Sequence, residues 1–393
     1  MKYKGHTTTG TAKKMPGTDA WLPQTIVDGR ARPFSPLNFP RKTFDNKQHA
    51  VDYAVAYGIW IVDHPVTMGP EWPANSHLSV SNPLTPSTGL LLYAASDGNN
   101  ARVEIARVSA TALQPVSDFG NTEYSDYPEK ALYLSPNRKL VAVTITRPDE
   151  DVWPLTYIAG IDGTKITTAH VGTFISWVPD SSKALLYYSP TDGPGIRKMY
   201  ALDTHGNYYD LGLPNGTINA DISPLDGSIF YSFTSGGTDN STLYLRDPQG
   251  KDTQLLKGEN DIFAWARWSP KGDKIAFLKS DLRITHGEVW SINAEGTGAE
   301  KASDVNWGYP AVWSPDGAKF AFANAGDIWE YDTVAKSLYN ATNLNHGGAE
   351  HPSYSADGKT LTFSSNSQIW KVENGTTTQL TSDIQPKDYP LLP

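Results

Sequence analysis

The sequence predicts an all-β chain closed into a single β-propeller of four-stranded antiparallel blades, and three observations carry that prediction. First, a phrase recurs. It reads WSPKGDKIAFLKS from Trp268, WSPDGAKFAFANA from Trp313 and YSADGKTLTFSSN from Tyr354. Weaker copies are LSPNRKLVAVTI from Leu134, WVPDSSKALLYYS from Trp177, ISPLDGSIFYSF from Ile222 and LTPSTGLLLYAAS from Leu84. Second, the copies keep time. Measured between Pro86, Pro136, Pro179, Pro224, Pro270, Pro315 and Ala356 they lie 50, 43, 45, 46, 45 and 41 residues apart, and a period of ~45 residues is that of a propeller blade. Third, composition fits: 33 Gly and 28 Pro supply turns, while 12 Trp, 20 Tyr and 12 Phe supply a sizeable core.

In chain order, residues 1–35 are polar and rich in Pro and Gly, and they read as an extended N-terminal arm. The segment TFDNKQHAVDYAVAYGIWIVD, Thr43 to Asp63, aligns with WSPDGAKFAFANAGDIWEYD once a one-residue gap is allowed, and Asp45 lies 41 residues before Pro86. It therefore reads as a degenerate eighth copy. Eight blades are favoured, with a seven-bladed ring as the alternative, in which this segment only supplies a closing strand. Each clear copy opens with a short strand ending in an aromatic. Its S-P-D-G turn follows, where Pro sets φ and Gly takes positive φ. An alternating strand such as KIAFL comes next. Third strands are DIWEYD from Asp327, EVWSIN from Glu288, TLYLRD from Thr242, KMYALD from Lys198 and QIWKVE from Gln368; a last strand such as TTQLT from Thr377 closes the unit. The propeller is expected over 36–382, with 383–393 as a C-terminal tail.

Composition also excludes. With 33 basic and 42 acidic residues the net charge is −9 and no Lys/Arg-rich run exists, which argues against nucleic acid, since phosphate binding needs clustered cations. No run approaches ~18 apolar residues, so no membrane span is expected. Cysteine is absent, so disulfides, thiolate metal sites and cysteine nucleophiles are ruled out. The polar start MKYKGHTTTGTAKK lacks the apolar stretch of a signal peptide. The chain is read as the mature form of a periplasmic or secreted protein with a replacement Met, in preference to a cytosolic one. A closed ring leaves few open edges, so a monomer is expected.

In a propeller the first strand of each blade lines the channel, and the connections into it share one rim with the loops between second and third strands. Candidate ligand-binding residues on that rim are His77, Tyr127, His170, Trp265, Trp307 and Tyr309. Aromatics, histidines and carboxylates in a concave mouth suit a protein or glycan partner. The run NHGGAEHPSY, from Asn345 to Tyr354, gathers His346, Glu350 and His351 within six residues. Such ligands suit a divalent Zn, Mn or Ni with a position left open, and His286 on a rim loop is a further candidate ligand. Adjacent residues on an extended strand point to opposite faces, which sets Glu350 against His351. The Asp-Gly pairs lack the spacing of calcium loops and read as turns.

The W-S-P-D-G…I-A-F…I-W-x-x-D pattern resembles the TolB-like (WD40-like, PD40) β-propeller family over residues 40–382. That resemblance implies the fold and says little about activity, because function lives in sites grafted onto folds. No G-x-S-x-G elbow with downstream Asp and His is found, which argues against a peptidase. The H-P-S-Y-S-A-D-G run is similar to the H-P-S-F-x-P-D segment of oligogalacturonate lyases. By that resemblance His286 and His351 are metal ligands with Glu350 and His346 beside them, and the base is sought at Arg197 or Arg283. The chain departs from the lyase pattern in having E-H-P where the lyases have H-P-H-P, and in lacking a clear counterpart of the lyase's proton-abstracting arginine, for which Arg197 and Arg283 are the candidates. The leading expectation is a non-catalytic binding or scaffold propeller. The alternative is a metal-assisted polysaccharide or oligosaccharide lyase acting by β-elimination on a uronate-containing glycan.

Overall fold

The computed structural model describes residues 2–3, 6–14, 21–27, 30–32, 46–52, 54–55, 89–96, 101–108, 113–119, 129–146, 154–164, 166–167, 169–188, 198–234, 241–259, 261–281, 287–305, 310–344 and 347–393. The chain divides into two compact units, 1–69 with 189–196, and 70–188 with 197–393.

The larger unit is a ring of seven four-stranded antiparallel blades. The innermost strands, in ring order, are Lys387–Leu391 in blade 1, Glu129–Leu134 in blade 2, Thr173–Trp177 in blade 3 and Thr217–Ile222 in blade 4. Asp261–Trp268, Val312–Trp313 and Ala349–Tyr354 follow in blades 5, 6 and 7. The ring thus has seven blades, not the favoured eight. The proposed eighth copy instead carries a helix at 47–52 and 54–55. Its apolar residues Ala50, Val51, Ala54 and Val55 recur at helical spacing, and Asn46 caps the helix by accepting the Gln48 amide at 2.7 Å. Where a strand was expected to follow the turn at Asp45, a helix thus starts.

Residues expected as an extended arm form a sheet within the smaller unit: Lys2–Tyr3, His6–Lys14, Trp21–Val27 and Arg30–Arg32 pair antiparallel in that order. Gly10 lies so close to the helix that a Cβ there would stand 2.6 Å from the Val51 carbonyl oxygen.

The expected tail is also structural. Lys387–Leu391 pairs with Leu90–Ser96, the second strand of blade 1, so the two ends of the propeller sequence share one sheet. Seven hydrophobic clusters hold the ring, one at each blade–blade interface. The reason lies in strand alternation: Leu91 faces blade 7 while its neighbour Leu92 faces blade 2. A second strand buried on both faces must be apolar throughout, which is why LLLYAAS and LVAVTIT read as unbroken runs.

The S-P-D-G turns form as expected. Gly272, Gly317 and Gly358 take φ of 69°, 63° and 70°, and their amides bond back to Ser269, Ser314 and Ser355. Asp316 and Asp357 accept local turn donors from Ala318 and Lys359, which accounts for these Asp-Gly pairs. Trp177, Trp313 and Tyr354 are buried core aromatics. The indoles of Trp177 and Trp313 donate to the carbonyls of Tyr133 and Arg267, one blade back, each at 3.0 Å.

Leu391 is buried at the blade 1–blade 2 interface of the closing strand. Leu391→Ala is expected to lower stability by about 2–5 kcal/mol in chemical denaturation. An effect below about 0.5 kcal/mol, as is usual at the surface, would show that this strand does not hold the ring.

Candidate channel site

Three inner strands carry a β-bulge whose first residue is in the left-handed region without being glycine. These are Trp265 (φ 54°), His351 (φ 51°) and Tyr389 (φ 51°). The register slips between Ala264 and Arg267, between Glu350 and Ser353, and between Asp388 and Leu391. Trp265 and His351 occupy one repeat position, five residues before Pro270 and Ala356. A bulge re-aims a side chain and is costly to hold with a bulky residue at positive φ. In blade 5 the result is an indole 37% exposed on an inner strand. Across the seam between blades 7 and 1, the His351 and Tyr389 rings stack with centroids 3.7 Å apart at 22°. The row continues: Tyr389 meets the edge of Tyr133 at 6.3 Å, and Tyr133 stacks on Phe174 at 4.3 Å. Burial pushes the Tyr133 hydroxyl up to about 12, against the field of Arg267.

Asp388 organises the seam. Its Oδ1 accepts from His351 Nδ1 at 2.6 Å, from Ser364 Oγ at 2.6 Å and from the Tyr389 amide at 2.7 Å. Burial acts to raise the Asp388 pKa, but the bonds from His351, Ser364 and the amide outweigh it and hold it below the ordinary carboxylate range. Facing a carboxylate, Nδ1 is the nitrogen that donates.

Arg267 lies deeper on the blade 5 strand. One guanidinium nitrogen donates to its neighbour Ala266 O at 2.7 Å and another to Ile175 O, on the inner strand two blades away. The side chain thus bridges blades 5 and 3, and the residue is half-buried. Burial lowers its pKa while the Asp221 field on blade 4 opposes this. Asp221 is itself raised by burial, despite Arg267 and the Trp268 amide, which it accepts at 2.8 Å.

The expected site residues fall out as follows. Trp265 is partly exposed on an inner strand, and Glu350, next to His351, is exposed. His170 is not at the channel: it sits on His170–Val171, the outermost strand of blade 2, edge-on to Tyr208 of blade 3 at 5.2 Å. The loop before an inner strand starts at the outer edge of the previous blade, so a residue three places upstream still belongs to that edge. His77, Tyr127, Arg197, Arg283, His286, Trp307, Tyr309 and His346 lie outside the described residues. Among the described residues no three His, Asp or Glu side chains group to hold a metal. The expected Zn, Mn or Ni site therefore finds no donor set among the described residues.

Sequence reasoning missed Asp388, Tyr389, Tyr133 and Arg267. The first two had a signal: D-Y-P at 388–390 repeats the pattern of E-H-P at 350–352. Arg267 had one as well, as a charged residue three places before the motif proline in a strand that is otherwise largely apolar.

The rim is uneven. Blades 6 and 7 join their second and third strands through two residues each, Ala325-Gly326 and Asn366-Ser367. Blades 2, 3, 4 and 5 use the longer stretches 147–154, 189–197, 235–240 and 282–286.

Burial depresses the His170 pKa to about 4. A base with a lowered native pKa binds fewer protons folded than unfolded, so stability falls as pH drops from ~6.5 towards ~4. His170→Gln should remove that acid-side slope, which approaches about 1.4 kcal/mol per pH unit. Identical slopes in urea unfolding at pH 7, 6, 5 and 4.5 would refute the assignment.

Comparison with known proteins places the fold. No family model matches the chain. Among curated proteins, Tricorn protease homolog 1 of Streptomyces coelicolor is 29% identical over 114 residues, 29% of this chain and only 10% of that protein. An oligogalacturonate lyase solved with manganese superposes with a TM-score of 0.51 at 10% identity, covering 72% of this chain and 86% of the lyase. A prolyl endopeptidase gives 0.51 at 15%, covering 77% of this chain and about half (49%) of its own. TolB from Acinetobacter baumannii gives 0.43 at 15%, covering 98% and 82%. The chain is a seven-bladed β-propeller.

Proposed function

We propose that this chain is a non-catalytic binding propeller, working outside the cytoplasm, whose channel mouth receives a protein or glycan partner. Trp265 carries the reading. An indole is held at positive φ in a bulge and left 37% exposed, a placement that packing alone does not favour. Exposed aromatics in a concavity stack on sugar rings or clamp peptide side chains, and such anchors dominate binding energy. The lack of cysteine is compatible with an extracytoplasmic setting. A glycan and peptide panel followed by tryptophan fluorescence tests it. Trp265→Ala should weaken the best ligand by about 10–100-fold with the circular dichroism spectrum unchanged, and Trp265→Phe should recover much of the loss. Equal affinity for Trp265→Ala would sink the reading.

One observation favours a lyase as the second reading: a carboxylate on His351 Nδ1 is the support that metal-binding imidazoles commonly have. An eliminase assay on uronate-containing polysaccharides, followed by ultraviolet absorbance with and without added Mn²⁺, decides it. A metal-dependent rise lost in His351→Ala would replace the binding reading.

A further inference from the structure

We propose that Arg267 is the floor of an oxyanion site in the channel, and that the ligand taken up at the mouth presents a single carboxylate to it. The inference deepens the binding reading above by naming the chemistry of what is bound, and it rests on that reading only for the ligand's upper part.

Arginine is seldom buried without an acid bonded to it, because a charge in a low-dielectric interior is costly. Arg267 feels the field of Asp221 on blade 4, but no hydrogen bond joins the two. Its hydrogen-bond acceptors among the described residues are two neutral carbonyls, Ala266 O and Ile175 O, and it forms no ion pair with a described acid. The field on it comes from Asp221, one of whose oxygens is engaged by the Trp268 amide. A guanidinium has five N–H donors in a planar fork, so two carbonyls leave donors to spare. A carboxylate fits that fork with two parallel bonds.

The position of the cation adds shape. Trp265 is two residues before Arg267 on the same strand, a rise of at most about 7 Å. A ligand with an apolar ring face over the indole and a carboxylate several ångströms deeper would reach both.

The test uses the whole protein with ¹⁵N-labelled arginine, the Arg267 Nε–H resonance being assigned by its loss in Arg267→Lys. Sodium acetate, acetamide and sodium phosphate are titrated at matched ionic strength against sodium chloride. The expected result is a saturable shift with acetate, absent with acetamide and chloride, and at least a tenfold weaker response to phosphate. No saturable shift with acetate, or an equal one with chloride, overturns the proposal. Tighter binding of phosphate overturns the carboxylate assignment. Should Arg267→Lys lose the fold, the acetate-against-acetamide contrast is read in the unmodified protein as a rise in melting temperature, and equal curves overturn the proposal. Acetate does not need Trp265, so failure here leaves the rim-binding result standing, and the reverse also holds.

Discussion

The ring depends on one long-range pairing, that of Lys387–Leu391 with Leu90–Ser96. Closing so long a stretch of chain costs entropy that grows only slowly with its length, so one strand of modest size can do it if its contacts are good. Leu391 and Leu392 serve opposite interfaces, with blade 2 and with blade 7. Arg138, on the first turn of blade 2, donates to the carbonyls of Leu392 and Tyr354 and so ties blades 2, 1 and 7 together at one point. Arg138 takes φ of 58° where glycine stands in the turns of blades 5, 6 and 7. The guanidinium bonds offset that backbone cost, and the strain sits where the ring must be locked.

The same logic repeats around the ring with local variations. Two tryptophans donate one blade back to carbonyls, whereas Tyr354 donates its hydroxyl to Glu330. Asn219, at the repeat position that carries Trp265 in blade 5, turns its side chain oxygen to the Ala266 amide at 3.0 Å. That bond satisfies a backbone donor at the blade 5 bulge, as buried amides require. The channel site is therefore supported by neighbouring blades. The blade 5 bulge is possible because the preceding blade supplies the missing acceptor.

Much of this was legible in the sequence because a blade is a local unit. Strand alternation, aromatic positions and S-P-D-G turns lie within ~45 residues of one another and need no distant partner. The blade number was not legible from Thr43 to Asp63, since Asn46 followed by Ala50, Val51, Ala54 and Val55 satisfies a loose strand alignment as well as a helix. The site was half legible. Trp265 and His351 stand out as residue types, but their exposure and stacking follow from bulges, and positive φ at a non-glycine leaves little trace in composition. Asp388 and Tyr389 looked like tail because their strand partners stand some 290 residues earlier in the chain. His170 was misplaced by assuming that every residue near an inner strand shares its rim.

Closure by a late strand also orders events in time. On a ribosome, Leu90–Ser96 emerges long before Lys387, and blade 1 is left without its innermost strand while the other six are made. Throughout that interval the chain displays an unpaired edge beside the apolar residues Leu91 and Leu92, which invites pairing with other chains. Nascent propellers of this design are thus most vulnerable to aggregation when nearly complete, and the speed with which the last stretch leaves the tunnel sets how long that exposure lasts.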